Sequence, residues 1–215
     1  HHNVVCLFDA ARQCFNFNED DHWALFHSFA FDFSVWEIWG ALLHGGTVTV
    51  VSQDVARSTE DFYKLLSDIG ITILNQTPTA FKLLAEHECN LPEEERIPLN
   101  LRTVIFGGEK LEFDTLRRWV DVHDFDEIKL VNNYGITETT ILNTYYPLSD
   151  HDLDEKRSII GRPYSNQEFY LLDGHLQPVP QGCIGELCVT GKGVVSLGYW
   201  NRPELNSERF IEIDL

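Results

Sequence analysis

The stretch IKLVNNYGITETT, residues 128–140, passes from a β-rich run into a polar loop that contains a glycine. Two earlier stretches follow the same pattern: ITIL at 71–74 runs into Asn75, and TVIF at 103–106 runs into a Gly-Gly-Glu loop at 107–109. In open parallel sheets, ligands bind in the crevice beyond the carboxyl ends of the strands. We therefore predict that these three loops line one binding crevice.

Around these loops, short β-rich runs alternate with longer amphipathic runs from Trp23 to about Asn132. That alternation is typical of βαβ units around a parallel sheet. TVTVV at 47–51 is a further predicted strand. The predicted fold class is therefore α/β, with a parallel, flavodoxin-like sheet.

The first predicted helix begins near Ser34, because Ser34 and Glu37 have the spacing of a capping box. Gly45 and Gly46 end it. Further helices are predicted at three places: from Ser58 or Thr59 to Gly70, from the cap and first turn at Thr77 and Pro78 through Leu84, and through Leu116 and Val120.

After about Pro147 the pattern changes to short strands without a long helix. EFYLLD, a hairpin-type turn at Asp173-Gly174, LQPVP and GELCVTG indicate a smaller antiparallel β meander, part of a barrel. We predict an α/β subdomain at 1–146 and a β-rich subdomain at 147–215. The chain is expected to continue beyond both ends.

The charge and composition restrict the possible partners. Acidic residues outnumber basic ones 34 to 16, so the mean field repels phosphate backbones and nucleic-acid binding is not expected. No apolar run approaches the roughly 20 residues of a membrane helix, so no membrane partner is expected. The five scattered cysteines favour free thiols in a reducing cytoplasm.

The loop NNYGITETT, residues 132–140, has the groups that a nucleotide site needs. Tyr134 offers a flat ring to stack on a base, the amides can read the edge of the base, and the hydroxyls can meet phosphate. Glu138 is a carboxylate that could hold Mg²⁺. As structure alone, the same stretch is a turn followed by a Thr-rich segment, and the residues by themselves leave both interpretations open.

Three motifs in family order resemble those of the adenylate-forming superfamily, which joins peptide synthetase adenylation domains, acyl-CoA ligases and luciferases. NNYGITE resembles the Asn-x-Tyr-Gly-x-Thr-Glu motif, with Ile136 where the family usually has Pro. FAFDFSVWE at 29–37 resembles the Phe-Asp-x-Ser motif of the amino-acid-activating branch, and 185–210 resembles the Gly-Glu-Leu…Gly-Tyr…Arg-Pro motif. The chain thus resembles an internal part of a nonribosomal peptide synthetase adenylation domain.

The resemblance implies a role for each residue of the nucleotide site. Asn132 would hydrogen-bond the adenine edge and Tyr134 would stack on its face. Thr137 would meet the α-phosphate of ATP, and Glu138 would ligate Mg²⁺. Gly107 and Gly108 would let the backbone approach the nucleotide and the substrate.

The resemblance also implies an amino-acid pocket. Asp32 would pair with the substrate α-ammonium, although the residue taken alone favours a helix N-cap and it is the surrounding motif that points to the ammonium. Trp36 follows Asp32 by one helical turn and could form a pocket wall. The implied lining is Asp32, Phe33, Trp36, Asn75, Ile105, Gly107, Asn133, Ile141 and Leu142. The first six resemble the pattern of threonine-activating domains, so threonine or a similar small β-hydroxy amino acid is the expected substrate.

In the family reaction, the amino-acid carboxylate attacks Mg-ATP to give an aminoacyl adenylate and pyrophosphate. The acyl group then passes to the phosphopantetheine thiol of a carrier protein, and a small MbtH-like activator protein is a further possible partner. The resemblance implies that a phosphate loop, a ribose-binding motif and a lysine-bearing C-terminal domain lie outside these residues. The isolated chain is therefore expected to be inactive.

Two alternatives remain. An aryl or acyl-CoA ligase of the same superfamily is disfavoured, because Asp32 would be buried unpaired beside an acid that lacks an amine. A non-catalytic, flavodoxin-like scaffold module would lack the expected phosphate loop and lysine domain in the full protein.

Overall fold

The computed structural model describes residues 1–212. The helices are α1 (His2–Ala11), α2 (Phe33–Leu42), α3 (Gln53–Arg57), α4 (Thr59–Ile69), α5 (Pro78–Asn90), α6 (Arg117–Val120) and α7 (Pro203–Arg209). The strands are β1 (His22–Leu25), β2 (Thr47–Val50), β3 (Ile73–Gln76), β4 (Thr103–Phe106), β5 (Lys129–Asn132), β6 (Thr144–Pro147), β7 (Arg162–Pro163), β8 (Gln167–Leu172) and β9 (Glu186–Gly191).

The main sheet has seven strands in the order β2-β1-β3-β4-β5-β6-β7. The five strands from β2 to β5 in that order are parallel, and β6 and β7 join antiparallel. A separate antiparallel pair is formed by β8 and β9. The predicted α/β class is confirmed, and the carboxyl ends of β3, β4 and β5 lie together at one edge.

Successive side chains of the central strands point to opposite faces of the sheet and enter two different hydrophobic clusters. Val104 and Phe106 pack in the cluster that contains Leu66 of α4. Ile105 packs in the other cluster, with Trp36 of α2. Both faces of the parallel sheet are therefore covered by helices, as βαβ units require.

The predicted caps of α4 and α5 are confirmed. The Ser58 hydroxyl accepts a hydrogen bond from the Asp61 N–H, and Gly70 ends α4 in the left-handed region with φ of 69°. The Thr77 hydroxyl accepts from the Ala80 N–H at the start of α5. The helix continues to Asn90, however, and not only through Leu84.

The predicted capping box at the start of α2 is wrong. Ser34 lies inside the helix, and its hydroxyl donates to the Phe31 carbonyl at 2.8 Å. Glu37 is fully buried and accepts hydrogen bonds from Nδ1 and the backbone N–H of His27, at 2.8 and 3.2 Å. Burial raises the pKa of Glu37, which the hydrogen bonds from His27 partly oppose. Glu37 therefore pairs with His27 and does not form a capping box with Ser34.

Three other boundaries differ from expectation. The strand predicted at 71–74 is β3 at Ile73–Gln76, so Asn75 lies within the strand. The last predicted helix is a 3-10 turn at Phe113–Leu116 followed by the four-residue α6. The turn predicted at Asp173-Gly174 forms, with the Leu176 N–H donating to the Asp173 carbonyl at 3.0 Å and an antiparallel bridge from Leu172 to Pro178, but LQPVP is not a full strand and the connection to β9 runs on to 185.

β6 crosses the predicted subdomain boundary between residues 146 and 147, and β7, which lies beyond that boundary, pairs with β6. The division into two subdomains stays a prediction. Within residues 1–212, none of the helices combines the length and the apolar character needed to cross a bilayer. All five cysteines are free.

Candidate functional site

A cavity of about 270 Å³ lies at the carboxyl-end edge of the parallel strands. It brings together residues of the FAFDFSVWE motif at 29–37, the NNYGITETT loop at 132–140 and Gly108 of the Gly-Gly-Glu loop. The lining residues are Phe31, Asp32, Phe33, Gly108, Gly135, Ile136, Thr137, Glu138, Ile141 and Leu142. Predicted amino-acid residues and predicted nucleotide residues therefore share one wall.

Asp32 occupies the N-cap position of α2, but its side chain makes no capping hydrogen bond. Its carboxylate Oδ2 instead accepts a 2.8 Å hydrogen bond from the Thr137 hydroxyl. The residue at the N-cap position of α2 therefore does not cap the helix, and its carboxylate lines the cavity. It sits next to Phe33, whose ring is buried.

Gly107 and Gly108 allow two aromatic rings to approach the backbone at the end of β4. A Cβ on Gly107 would lie 3.1 Å from the Phe33 ring, and one on Gly108 would lie 3.3 Å from the Phe31 ring. Gly108 also has a φ of +81°, a conformation that favours glycine. Larger residues here would push the rings and change the cavity.

Five predicted pocket residues are buried but do not line the cavity: Trp36, Asn75, Ile105, Gly107 and Asn133. The Trp36 indole N–H donates to Asn75 Oδ1 at 3.0 Å, and its ring stacks on Phe8 with centroids 4.6 Å apart. The pocket wall predicted for Trp36 is thus a packed core residue one layer behind Asp32 and Phe33.

Asn75 and Asn133 each use one end of the amide. Asn75 Oδ1 accepts from Trp36, and Asn133 Oδ1 accepts from the Tyr164 hydroxyl at 2.8 Å. Within residues 1–212, Nδ2 of both asparagines is buried without a hydrogen-bond partner. A buried amide donor without a partner costs about 1–3 kcal/mol, so both are candidates for a ligand oxygen.

The predicted adenine residues are positioned by the β5–β6 connection. Asn132 is buried, and its Nδ2 donates to the Ile159 carbonyl at 2.8 Å, which leaves Oδ1 to accept from a ligand. Tyr134 is half-buried, and its carbonyl accepts from the Asn143 and Thr144 N–H groups. Neither residue lines the cavity, and their roles toward adenine stay predictions.

The turn after Tyr134 demands a glycine. A Cβ on Gly135 would lie 2.0 Å from the Ile141 carbonyl oxygen. Beyond it, Thr140 and Ile141 have φ of 65° and 70°. β-branched residues rarely adopt positive φ, and such strain persists only where surrounding contacts enforce it.

The sequence did not indicate what holds Glu138. Its carboxylate Oε1 accepts a hydrogen bond from the Tyr199 hydroxyl, and its carbonyl accepts from the Ser196 N–H at 2.8 Å. Tyr199 lies within the motif at 185–210, so the motif pointed to this residue but not to its contact with Glu138. Asn3, which contacts the neighbouring Thr140, had no such signal.

Glu138 can take part in a metal site only together with ligands from a bound molecule. The described residues hold no cluster of three or more potential metal-ligating side chains. Mg²⁺ is commonly bound by one or two carboxylates plus substrate phosphates and water. The Glu138 carboxylate, which lines the cavity next to Thr137, fits that arrangement.

The fold and the cavity define an α/β domain whose ligand site lies at the carboxyl ends of parallel strands. The chain belongs to the AMP-binding enzyme family, which matches residues 1–200. It is 48% identical over 213 residues to the dimodular nonribosomal peptide synthase of Bacillus subtilis (strain 168). That match covers 98% of this chain and 9% of the synthase.

Two solved structures agree with this assignment. The AMPPNP-bound form of the nonribosomal peptide synthetase FmoA3 superimposes with a TM-score of 0.87 at 26% identity, covering 97% of this chain and 22% of that one. Holo-PA1221, described as containing adenylation and PCP domains, gives 0.79 at 27% identity, covering 93% and 33%. The resemblance to peptide synthetase adenylation domains is confirmed.

Proposed function

We propose that this chain is the part of an ATP-dependent, adenylate-forming ligase that activates an amino acid. The observation that carries the proposal is the Thr137 to Asp32 hydrogen bond within the shared cavity wall. This bond connects Thr137, whose hydroxyl is expected to meet the α-phosphate of ATP, to Asp32, whose carboxylate is expected to pair with the substrate α-ammonium. The two reacting molecules would therefore meet within the reach of these two side chains.

In the proposed reaction, a carboxylate oxygen of the amino acid forms a bond to the α-phosphorus of ATP. The bond from that phosphorus to the α,β-bridging oxygen breaks, and the β- and γ-phosphates leave together as pyrophosphate. Asp32 would fix the amino acid through its ammonium, and Thr137 would donate to an α-phosphate oxygen. Such positioning can supply a large part of a rate enhancement.

Glu138 would hold Mg²⁺ together with the phosphate oxygens, and the bound ion would neutralise charge on the triphosphate. ATP is supported as the nucleotide by the AMP-binding family and by the AMPPNP-bound neighbour. Asn132 Oδ1 could accept from the adenine amino group, and Tyr134 could stack on the ring.

The proposed substrate is threonine or a similar small β-hydroxy amino acid. Phe33, Ile141 and Leu142 take up volume in the cavity. Nδ2 of Asn75 and of Asn133, buried and without a hydrogen-bond partner within residues 1–212, would be the donors to a side-chain hydroxyl. A site that hydrogen-bonds a substrate hydroxyl can reject an analogue without it by about 10⁴-fold, against about 10² for an apolar pocket.

The proposed partner of the acylated product is a carrier-protein domain with a phosphopantetheine arm, because a structural neighbour contains adenylation and PCP domains. A small MbtH-like protein is proposed as a further partner and the cytoplasm as the location.

The test is amino-acid-dependent ATP–pyrophosphate exchange by the intact protein that contains this chain. Threonine, valine and the des-amino analogue of threonine are compared at equal concentration. Threonine should give the highest kcat/KM, and the des-amino acid should give almost none. Preference for valine would refute the threonine assignment alone, whereas equal use of the des-amino acid would refute amino-acid activation and favour an acyl ligase.

A further inference from the structure

We propose that Tyr199 is a positioning residue for Glu138, and that the segment 194–199 after β9 is the support through which it acts. The inference rests on the proposed function, because it takes Glu138 as the carboxylate that meets Mg²⁺. It adds a residue that touches neither metal nor nucleotide and that controls the orientation of the group that does.

The 194–199 segment holds both the side chain and the backbone of Glu138. The Tyr199 hydroxyl donates to Glu138 Oε1, and the Ser196 N–H donates to the Glu138 carbonyl at 2.8 Å. A carboxylate fixed at both points has few orientations left. This is the arrangement by which outer hydrogen bonds orient metal-binding carboxylates.

The other oxygen of the carboxylate is left for a ligand. Within residues 1–212, Glu138 Oε2 makes no hydrogen bond, and the residue lines the cavity. Tyr199 is itself held in place. Its N–H donates to Asn206 Oδ1 at 2.6 Å, and its ring packs edge-on against Phe210 with centroids 5.5 Å apart.

A second set of contacts fixes the 194–199 segment to the loop beyond Glu138. The Thr140 hydroxyl donates to the Val194 carbonyl at 2.6 Å. Nδ2 of Asn3, on α1, lies 3.2 Å from the Thr140 hydroxyl and 3.0 Å from the Val195 carbonyl. Asn3 therefore links the Thr140 side chain to the 194–199 segment.

These contacts explain how the loop tolerates its backbone. Thr140 and Ile141 both have positive φ, a strained conformation for β-branched residues that persists only where surrounding contacts enforce it. Without the bonds from Val194 and Asn3, the loop would relax toward ordinary backbone angles. Relaxation two residues after Glu138 would turn its carboxylate away from the cavity.

The test uses Tyr199→Phe in the intact protein, which removes only the hydroxyl. The Mg²⁺ concentration that gives half-maximal ATP–pyrophosphate exchange should rise about tenfold, while the KM for the amino acid stays unchanged. Mn²⁺ binding in the presence of AMPPNP, followed by the EPR signal of free Mn²⁺, should weaken by the same factor. That binding readout does not depend on turnover.

Tyr170→Phe is the matched control. The Tyr170 hydroxyl donates to Glu168 at 2.6 Å on exposed β8, so the change removes the same kind of bond away from the cavity. Both measurements should match the parent protein. If Tyr170→Phe weakens Mn²⁺ binding as much as Tyr199→Phe does, the positioning role is overturned.

A double variant separates this inference from the proposed function. If Tyr199 acts through Glu138, Glu138→Gln combined with Tyr199→Phe should bind Mn²⁺ no more weakly than Glu138→Gln alone. Additive losses would overturn the positioning role. An unchanged Mg²⁺ requirement in Glu138→Gln would instead overturn the metal role of Glu138 in the proposed function.

Should Tyr199→Phe reduce the melting temperature, Asn3→Ala tests the same support from its opposite end. It removes the contacts to Thr140 and Val195 without changing Tyr199 or Glu138. A several-fold rise in the Mg²⁺ requirement is expected, and parent-like Mn²⁺ binding in a folded Asn3→Ala protein contradicts the role of the segment.

Discussion

The Thr137 hydroxyl donates a 2.8 Å hydrogen bond to Oδ2 of Asp32, which lies 105 residues earlier in the chain. One residue begins α2, and the other lies in the loop after β5, so only the folded sheet brings them together. Because both side chains line the cavity, a molecule entering it would have to compete with this bond or use it. The pair is therefore a sensitive place to test the site.

Asp32→Ala should reduce kcat/KM for amino-acid-dependent exchange by at least about 100-fold. The substrate ammonium would enter the cavity without a partner, and removing one member of a desolvated pair is strongly unfavourable. Steady-state exchange assays of the intact protein measure the effect. Asp68→Ala, at an exposed position on α4, is the control and should behave like the parent.

Thr137→Val should lower kcat about 10-fold or more, because the branched shape is kept while the donor to the α-phosphate is lost. Thr137→Ser keeps the hydroxyl and should retain most of the activity. Comparing kcat for the two variants under saturating ATP distinguishes a polar role from a packing role. A loss in Thr137→Ser with parent-like kcat in Thr137→Val would mean that the methyl group, and not the hydroxyl, matters.

Gly135→Ala should lower the free energy of unfolding by about 2–3 kcal/mol, since the added methyl would overlap the Ile141 carbonyl and force the backbone to move. Urea denaturation gives the value. Gly174→Ala is the matched control, because a Cβ there meets no atom within 4 Å. A Gly135→Ala protein as stable as the control would show that the turn can widen freely.

Glu88 should be critical for stability although it is remote from the cavity. Its buried carboxylate accepts from the Tyr63 hydroxyl, Trp119 Nε1 and His123 Nε2 at 3.0, 2.9 and 2.9 Å. Glu88→Ala leaves the Trp119 and His123 donors without this acceptor, while the Tyr63 hydroxyl keeps the Ile97 carbonyl, and should cost about 2–4 kcal/mol. Thermal and urea unfolding measure it, with the exposed neighbour Glu86→Ala expected to change stability by less than about 0.5 kcal/mol.

The Asp21–Arg102 pair should make stability depend on acid pH. Burial alone would raise the pKa of Asp21, but hydrogen bonds from Arg102, the Asn18 N–H and Thr72 bring it below the ordinary value of 3.8. A lowered folded-state pKa adds stability above about pH 3.8, and that stability is lost as the pH falls through the folded-state pKa.

Arg102→Leu removes the strongest of these opposing contacts, a bond to Asp21 Oδ2 of 2.5 Å. At pH 7 the variant should be less stable than the parent by about 1–3 kcal/mol. The difference should shrink when urea unfolding is repeated at pH 3. A difference that is constant between the two pH values would mean that Arg102 stabilises by packing alone.

The features that could be predicted from the sequence depend on contacts between residues a few positions apart. Ser58 and Gly70 bound α4, and Thr77 caps α5, because each uses a backbone group within one turn. The order of strands and loops also placed the cavity at the correct edge of the sheet.

The predictions that were wrong concern residues whose contacts come from other elements of the fold. Glu37 had capping-box spacing with Ser34, but burial beside His27 gave its carboxylate a better pair of donors. Trp36 had the spacing of a pocket wall, but it is packed in the core, where its ring stacks on Phe8 of α1. The bonds from Tyr199 and Asn3 to the 138–140 loop follow no local rule, so the sequence could not reveal them.

Asn3 Nδ2 lies within hydrogen-bonding distance of the Val194 carbonyl across a separation of 191 residues. Contacts between residues so far apart in the chain close late in folding, after local helices and neighbouring strands have formed. During synthesis, the βαβ units can assemble as they leave the ribosome, whereas the support behind Glu138 must wait for the 194–199 segment. We therefore expect a translation intermediate that already has its sheet but does not yet have the contacts that hold Glu138.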